Sequence, residues 1–224
     1  MQAHDPIRQV LDAWFPPGLE QADTATHHRA FEAWFGGGAI GSAFGSLARQ
    51  AQAGQLDGWA ALPHGRLALI LLLDQVPRDL YAGTPLAYGG DADALQLAEE
   101  GLRNDQYDEL AHPWEKTFFF LPLAHAEGPD HRERLIRVAA MAEALAWSAR
   151  EDLRPLYRFS ADQARGHRAV IERFGRFPHR NAILGRASTA EEEGWLASGE
   201  LVQRRRPPIA ARLGLQPAGM PAGS

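Results

Sequence analysis

The segment RFGRFPHRNAILGR, residues 173–186, holds four arginines, a histidine and an asparagine but no carboxylate, although the whole chain carries a net charge of −5. Guanidinium groups bind carboxylates and phosphates through two parallel hydrogen bonds. Pro178 predicts the first turn of a short helix here, so free backbone N–H groups would add to the donors of Arg176, Arg180 and Asn181. The segment therefore predicts either a pocket for a small anion or a clasp in which the arginines pair with carboxylates from elsewhere in the chain.

Three histidines in or near the same stretches, His125, His167 and His179, are candidates for proton transfer. Imidazole changes its protonation near neutral pH and serves as a general acid or base. His167 falls on the inward stripe of its predicted helix, where a core histidine bonded to a backbone carbonyl is the simpler interpretation. It becomes a candidate general base only if it opens onto a cavity.

Asp74 continues the apolar stripe of a predicted helix that is buried on all sides. An unpaired carboxylate in that position would cost several kcal/mol or take up a proton. Arg78 lies four residues further on, beyond a predicted helix break at Pro77, and an arginine of residues 173–186 would serve equally well. A structural ion pair is therefore predicted for Asp74 in preference to a catalytic role.

Two more acidic residues and a tryptophan are candidates for ligand binding. Glu115 stands at the third position of a predicted helix start, where its carboxylate would cap the backbone N–H of residue 112. Glu127 is a second carboxylate that the arginines could hold. Trp114 supplies a ring for a pocket wall or for the core. These roles remain open alternatives at the level of the sequence.

Metal and cofactor chemistry have little support in the pattern. The chain has no cysteine, which excludes disulfides, thiolate nucleophiles and zinc–thiolate sites. His125, Glu127 and His167 have acceptable ligand types for a divalent ion, but nothing in their spacing demands one. We therefore predict neither a metal site nor a cofactor.

Charge and hydropathy limit the classes of partner. A net charge of −5 and a pI near 6.0 argue against nucleic acid, whose phosphates bind a basic face. The longest unbroken apolar run is 67–73, far below the roughly 18 residues that span a bilayer. No signal-peptide pattern begins the chain. We expect a cytoplasmic protein without nucleic-acid or membrane partners.

Helices must position all of these residues, because helix signals dominate and sustained β-strand alternation is nearly absent. Asp5 and Pro6 predict the start of the first helix. RLALILLLDQ, residues 66–75, predicts a central helix that is buried all round and ends at Pro77. Further helices are predicted over 91–104, from Pro113 to a kink or end near Pro122, over about 130–149, from the capping box Ser160–Gln163 to Gly175, over 178–185, and from the capping box Ser188–Glu191. The fold class is all-α, with stacked antiparallel helical hairpins.

Three stretches carry a resemblance to a known family: LALILLLDQVPRDLYAGTPLAY at 67–88, HPWEKTFFFLPLAHAE at 112–127, and HRAVIERFGRFPHRNAILGRASTAEE at 167–192. Over residues 5–200 the chain resembles the bacterial domain of unknown function family 924. The resemblance implies a tetratricopeptide-like α/α superhelix with degenerate repeats. It implies no reaction and no cofactor.

We expect a single helical domain over 1–203 and a Pro/Gly/Ala-rich tail over 204–224 with little structure of its own. Two functions fit the residues. One is an inter-helical pocket for a small anionic metabolite, in its concrete form a metal-independent hydrolase or lyase. The alternative is a tetratricopeptide-like scaffold that binds a peptide or protein partner. The residues alone do not decide whether the protein is an enzyme.

Overall fold

Helices joined by short turns form the structure, a computed structural model that describes residues 5–35, 40–199, 201–202 and 205. These residues contain no β-strand, so the all-α prediction is confirmed; the tetratricopeptide-like detail remains a prediction. The predicted tail, 204–224, lies outside the described residues except for Arg205. The α-helices, numbered in chain order, are α1 (Pro6–Trp14), α2 (Thr24–Phe35), α3 (Gly45–Gln52), α4 (Pro63–Ile70), α5 (Val76–Leu80), α6 (Asp91–Arg103), α7 (Gln106–Glu109), α8 (Pro113–His125), α9 (His131–Ser148), α10 (Arg154–Phe174) and α11 (Ala190–Ser198).

The core surrounds α4, whose residues from 65 to 70 are all buried. Aromatic side chains join the neighbouring helices. The ring of Phe31 on α2 meets Tyr157 on α10 edge-on at 5.5 Å, and Trp34 meets Phe118 on α8 at 5.4 Å. Such pairs contribute beyond the area that they bury. In the described part of the chain, no helix has both the length and the hydrophobicity needed to cross a membrane.

Contrary to the prediction, the central apolar helix does not end at Pro77. It passes through a π-helical turn at Leu71–Gln75, in which the N–H of Val76 donates to the carbonyl of Leu71, and continues as α5. Pro77 lies in the first turn of α5, where its missing N–H is tolerated. π-Helical turns occur frequently at functional sites, and this one carries Asp74.

Two other proline and capping signals also act differently from their predicted roles. α8 continues through Pro122 and ends at His125. Ser160 does not begin a helix, because α10 starts at residue 154 and its buried stripe already includes Leu156 and Tyr157. The predicted end of this helix is correct: Gly175 adopts a φ of 68° and its N–H donates to the carbonyl of Ile171.

The region after α10 is less helical than predicted. Residues Pro178–Arg180 make one 3₁₀ turn instead of a helix over 178–185, so no helix dipole builds up at residues 176–181. The second capping box is displaced by one residue. Its cap is Thr189, whose hydroxyl accepts from the N–H of Glu192 at 3.2 Å while the Glu192 carboxylate accepts from the N–H of Thr189 at 2.8 Å.

Candidate functional site

The buried Asp74 and the half-buried His125 form a hydrogen-bonded pair. The π-helical turn places the Asp74 carboxylate beside the end of α8, and His125 Nδ1 lies 2.8 and 2.9 Å from its two oxygens. An ionised carboxylate only accepts hydrogen bonds, so Nδ1 must carry the proton that His125 donates. In the neutral form of the imidazole this hydrogen bond leaves the lone pair on Nε2, the arrangement of a general base.

Three groups keep Asp74 ionised although its side chain is fully buried. Burial alone would raise the pKa of this carboxyl, but the charge of Arg78 and the hydrogen bonds from His125 and Gln75 hold it well below its usual range. Gln75 Nε2 donates to Oδ2 at 2.5 Å, and Arg78 Nη1 lies 3.1 Å from Oδ1. The ion pair predicted for Asp74 is therefore made within its own helical segment.

Arg78 links this pair to the basic segment. Its Nη2 lies 2.8 Å from Asp91 Oδ1, and Arg180 Nη1 lies 3.1 Å from Asp91 Oδ2. The guanidinium of Arg180 also lies over the ring of Tyr88, 4.3 Å from its centroid. Burial and the nearby charge of Arg78 lower the pKa of Arg180. The negative charges of Asp74 and Asp91 are thus neutralised by the positive charges of Arg78 and Arg180 inside the fold.

A cavity of about 300 Å³ opens beside the pair, between α2, α5, α8, α9 and α10. Its polar lining includes Gln75, Arg78 and His125, and four aromatic side chains form much of its apolar wall: Trp34, Phe35, Phe120 and Phe159. A few placed polar groups in a mostly apolar cleft are typical of small-molecule sites. The cavity can therefore bring a small organic molecule to the ring of His125.

Of the three candidate histidines, His125 and His167 line the cavity, whereas His179 does not. Burial, together with neighbouring positive charge, lowers the pKa of His167 to about 3. Burial and the charge of Arg180 lower that of His179 to about 4. Both rings are therefore neutral at pH 7. His167 also packs edge-on against Phe177, with 5.2 Å between the ring centroids.

Every arginine of residues 173–186 pairs with a carboxylate of the same chain. Arg176 makes two bonds to Glu192, at 2.7 and 2.8 Å. The other pairs are Arg173 with Glu191, Arg180 with Asp91, and Arg186 with Glu127. This is the clasp arrangement, and with one 3₁₀ turn in place of a helix the segment lacks the N-terminal dipole that the anion-pocket alternative required.

Asn181 and Glu127 belong to the same clasp. Asn181 is fully buried and its Nδ2 donates to Ser188 at 3.0 Å and to Glu192 at 3.3 Å. Glu127 also accepts the N–H of Phe177 at 2.6 Å. Neither residue lines the cavity, and Arg176 and Arg180 do not line it either. These contacts join α11 and the turn after α10 to the end of α8.

Trp114 and Glu115 lie in a separate cleft of about 290 Å³ beside α1. Glu115 accepts the N–H of His112 at 3.1 Å, which confirms its predicted capping role, and its other oxygen lies 3.1 Å from His64 Nε2. This bond raises the pKa of His64. The ring of Trp114 stacks on His112, with centroids 4.5 Å apart. The structure therefore separates these residues from the Asp74–His125 pair.

Several residues of the cavity carried no signal in the sequence. Gln75 and Asp79 are ordinary polar residues of helices, Gln163 is predicted only as part of a capping box, and Arg205 lies within the predicted tail. Ser160 was noted only as a helix cap. Among the residues that the structure describes, no three His, Asp or Glu side chains converge in a way that could hold a metal ion.

Comparison with known proteins places the chain in a family. A solved structure of a protein of unknown function from Agrobacterium tumefaciens is similar, with 31% sequence identity and a TM-score of 0.61. The alignment covers 87% of this chain and 98% of that one. None of the curated proteins matches. The model of a bacterial protein of unknown function, DUF924, matches residues 10–200, so the chain belongs to the DUF924 family.

Proposed function

We propose that the protein is an enzyme, a hydrolase or lyase working by acid–base chemistry, in which His125 is the general base for a small substrate that carries an anionic group. The observation that carries the proposal is the hydrogen bond from His125 Nδ1 to the buried carboxylate of Asp74 at the wall of the cavity. An aspartate that fixes the tautomer of a histidine and stabilises its protonated form is a recurrent catalytic arrangement.

The neighbouring residues suit this chemistry. In hydrolysis, His125 Nε2 would take a proton from a water molecule as the water oxygen bonds to an acyl carbon, and the imidazolium would then return that proton to the leaving group. In a lyase reaction the same nitrogen would take a proton from a substrate carbon as a group leaves the adjacent carbon. Arg78, which lines the cavity and pairs with Asp74, would keep that carboxylate ionised while it stabilises the imidazolium.

The proposal that the substrate carries an anionic group is supported by a cation at the cavity. Arg205 lines it and has no carboxylate partner among the described residues, and the aromatic wall offers contact to an apolar part of the substrate. The scaffold alternative predicts an open groove lined by exposed side chains. In the described residues, none of the exposed large apolar side chains lines the cavity: Leu62, Leu86, and Ile136 and Trp147 on α9.

The test is substrate depletion. The purified protein is incubated with a panel of carboxylate esters, amides, phosphate esters and hydroxy acids, and their loss is followed by mass spectrometry. We expect His125→Asn to lower the rate on any depleted compound by a factor of about 10² or more. His64→Asn is the matched control, because His64 likewise bonds a carboxylate, that of Glu115, but lies in the other cleft. An unchanged rate in His125→Asn would refute the proposal.

A further inference from the structure

Two side chains of opposite charge line the cavity without a partner of opposite charge among the described residues. Asp79, at the α5 wall, accepts only the backbone N–H of Gly41, at 2.7 Å. Arg205 is exposed and lines the same cavity, and no described carboxylate pairs with it. The other charged pair at the site, Asp74 and Arg78, is satisfied internally. Within the part of the chain that the structure describes, Asp79 and Arg205 are therefore charges of the cavity wall that a ligand could pair with.

Close packing positions the Asp79 carboxylate and the backbone near Arg205. A methyl group on Gly41 would lie 2.9 Å from both Asp79 Oδ2 and the Cα of Val76, so the glycine lets its backbone approach the carboxylate closely. Val202 is buried against Gly166 of α10, and its carbonyl accepts a hydrogen bond from Gln163 Nε2 at 3.2 Å. The same carbonyl accepts the N–H of Arg205 at 3.1 Å, and the Arg205 side chain lines the cavity.

We infer that the cavity binds a zwitterion of the amino-acid class, whose carboxylate pairs with Arg205 and whose ammonium group pairs with Asp79. An apolar side chain of the ligand packs on the aromatic wall that includes Trp34 and Phe120. Such a ligand supplies the two missing charge partners at once, and the half-buried carboxylate of Asp79 gains from one because it is partly removed from water. Burial raises the pKa of Asp79, a cost that an ammonium partner offsets. The inference rests on the proposed function for the choice of cavity.

The test is calorimetric titration with three probes that share one ring and chain: L-phenylalanine, 3-phenylpropionate and 2-phenylethylamine. The second probe lacks the ammonium group, and the third lacks the carboxylate. We expect phenylalanine to bind about tenfold more tightly than either, as one additional charge-assisted contact would give. Arg205→Gln lowers the affinity for phenylalanine to that of the amine, and Asp79→Asn lowers it to that of phenylpropionate.

Arg158→Gln and Asp108→Asn serve as matched controls, because both residues are exposed and lie away from the cavity. Asparagine at position 79 keeps an oxygen that can accept from Gly41, so a folding defect is not expected. Equal binding of phenylpropionate and phenylalanine overturns the inference. So does an unchanged affinity in both variants, or no binding of phenylalanine at millimolar concentration.

The binding test separates this inference from the proposed catalysis, because it needs no turnover and is repeated with His125→Asn. If charge-selective binding persists and no compound is consumed, the catalytic proposal is wrong and the ligand class stands. If a substrate without an ammonium group is consumed and its consumption depends on His125, the catalytic proposal stands and the inferred ligand class is wrong.

Discussion

At the scale of single residues, burial decides how much a guanidinium contributes. Arg180 and Arg173 make the same two kinds of contact, to a carboxylate and to aromatic rings, with two rings, Tyr88 and Phe177, for Arg180 and one for Arg173. Arg180 is 5% exposed, bonded to Asp91 and stacked over Tyr88. Arg173 is exposed, bonded to the exposed Glu191, with Phe174 4.8 Å from its guanidinium carbon. Solvent screens the second set of contacts and not the first.

This contrast predicts different effects of the same conservative change. Arg180→Lys keeps the charge but loses the planar stacking, and we expect the free energy of unfolding to fall by about 2 kcal/mol. Arg173→Lys is the control, with an expected loss below about 0.5 kcal/mol. Urea titrations of both variants and of the wild type provide the measurement. Equal losses would show that the buried stack contributes nothing beyond its charge.

Helical elements set the geometry of the site through irregularities. An ordinary helix would pair the carbonyl of Leu73 with the N–H of residue 77, but that residue is proline. Gly90, at the start of α6, packs directly on this carbonyl. The π-helical turn therefore packs closely against the chain before α6. The contact is made at Leu73, the residue that precedes Asp74.

The predicted consequence is that Gly90 tolerates no side chain. A methyl group there would overlap the Leu73 oxygen and would lie 3.1 Å from the Leu73 carbonyl carbon. Because backbone atoms cannot turn aside, Gly90→Ala should lower the free energy of unfolding by roughly 1–3 kcal/mol. Gly58→Ala, which would meet nothing within 4 Å, should change it by less than about 0.5 kcal/mol. Chemical denaturation of the two variants compares them, and a neutral Gly90→Ala would contradict the close packing.

Local signals predicted some elements and failed for others for identifiable reasons. The Asp5 cap acts as predicted, because its carboxylate accepts the N–H of Ile7 at 3.0 Å within the same turn. Ser160 has the same kind of capping signal, yet the apolar stripe that begins before it keeps the chain helical. Pro77 failed as a helix end because the π-helical turn before it starts a new helical segment, a change of pitch that hydrophobic periodicity does not encode.

For the whole molecule, the site depends on contacts between distant parts of the chain. Asp74 and His125 are 51 positions apart, and Arg180 and Asp91 are 89 apart. The residue types that pair could be recognised in the sequence, but the choice of partner depends on how α5, α6 and α8 pack. Charge composition likewise could not separate an anion pocket from an internal clasp, since both use the same arginines.

The packing also buries histidines, and their burial should make the folded state less stable in acid. Burial lowers the pKa of His131 to about 4, that of His167 to about 3 and that of His179 to about 4. His131 is fully buried, its Nε2 donates to the carbonyl of Ala124 at 2.9 Å, and its Nδ1 has no partner in the described residues. A second proton would place charge on that nitrogen with no acceptor nearby.

The sign of the effect follows from proton binding. Unfolded histidines take up a proton near pH 6.5, and these folded ones only near pH 4 or below, so the unfolded state binds more protons in between and stability falls as the pH drops. We expect His131 alone to account for roughly 2–3 kcal/mol of this loss by pH 4. His131→Gln, which keeps an N–H donor and cannot titrate, should remove that part of the decline in urea titrations between pH 6.5 and 4. His64→Gln is the control of opposite sign: its pKa is raised by Glu115, so its contribution is present at low pH, and losing it makes the decline steeper. Identical pH profiles for wild type and His131→Gln would show that the buried ring is not held neutral by the fold.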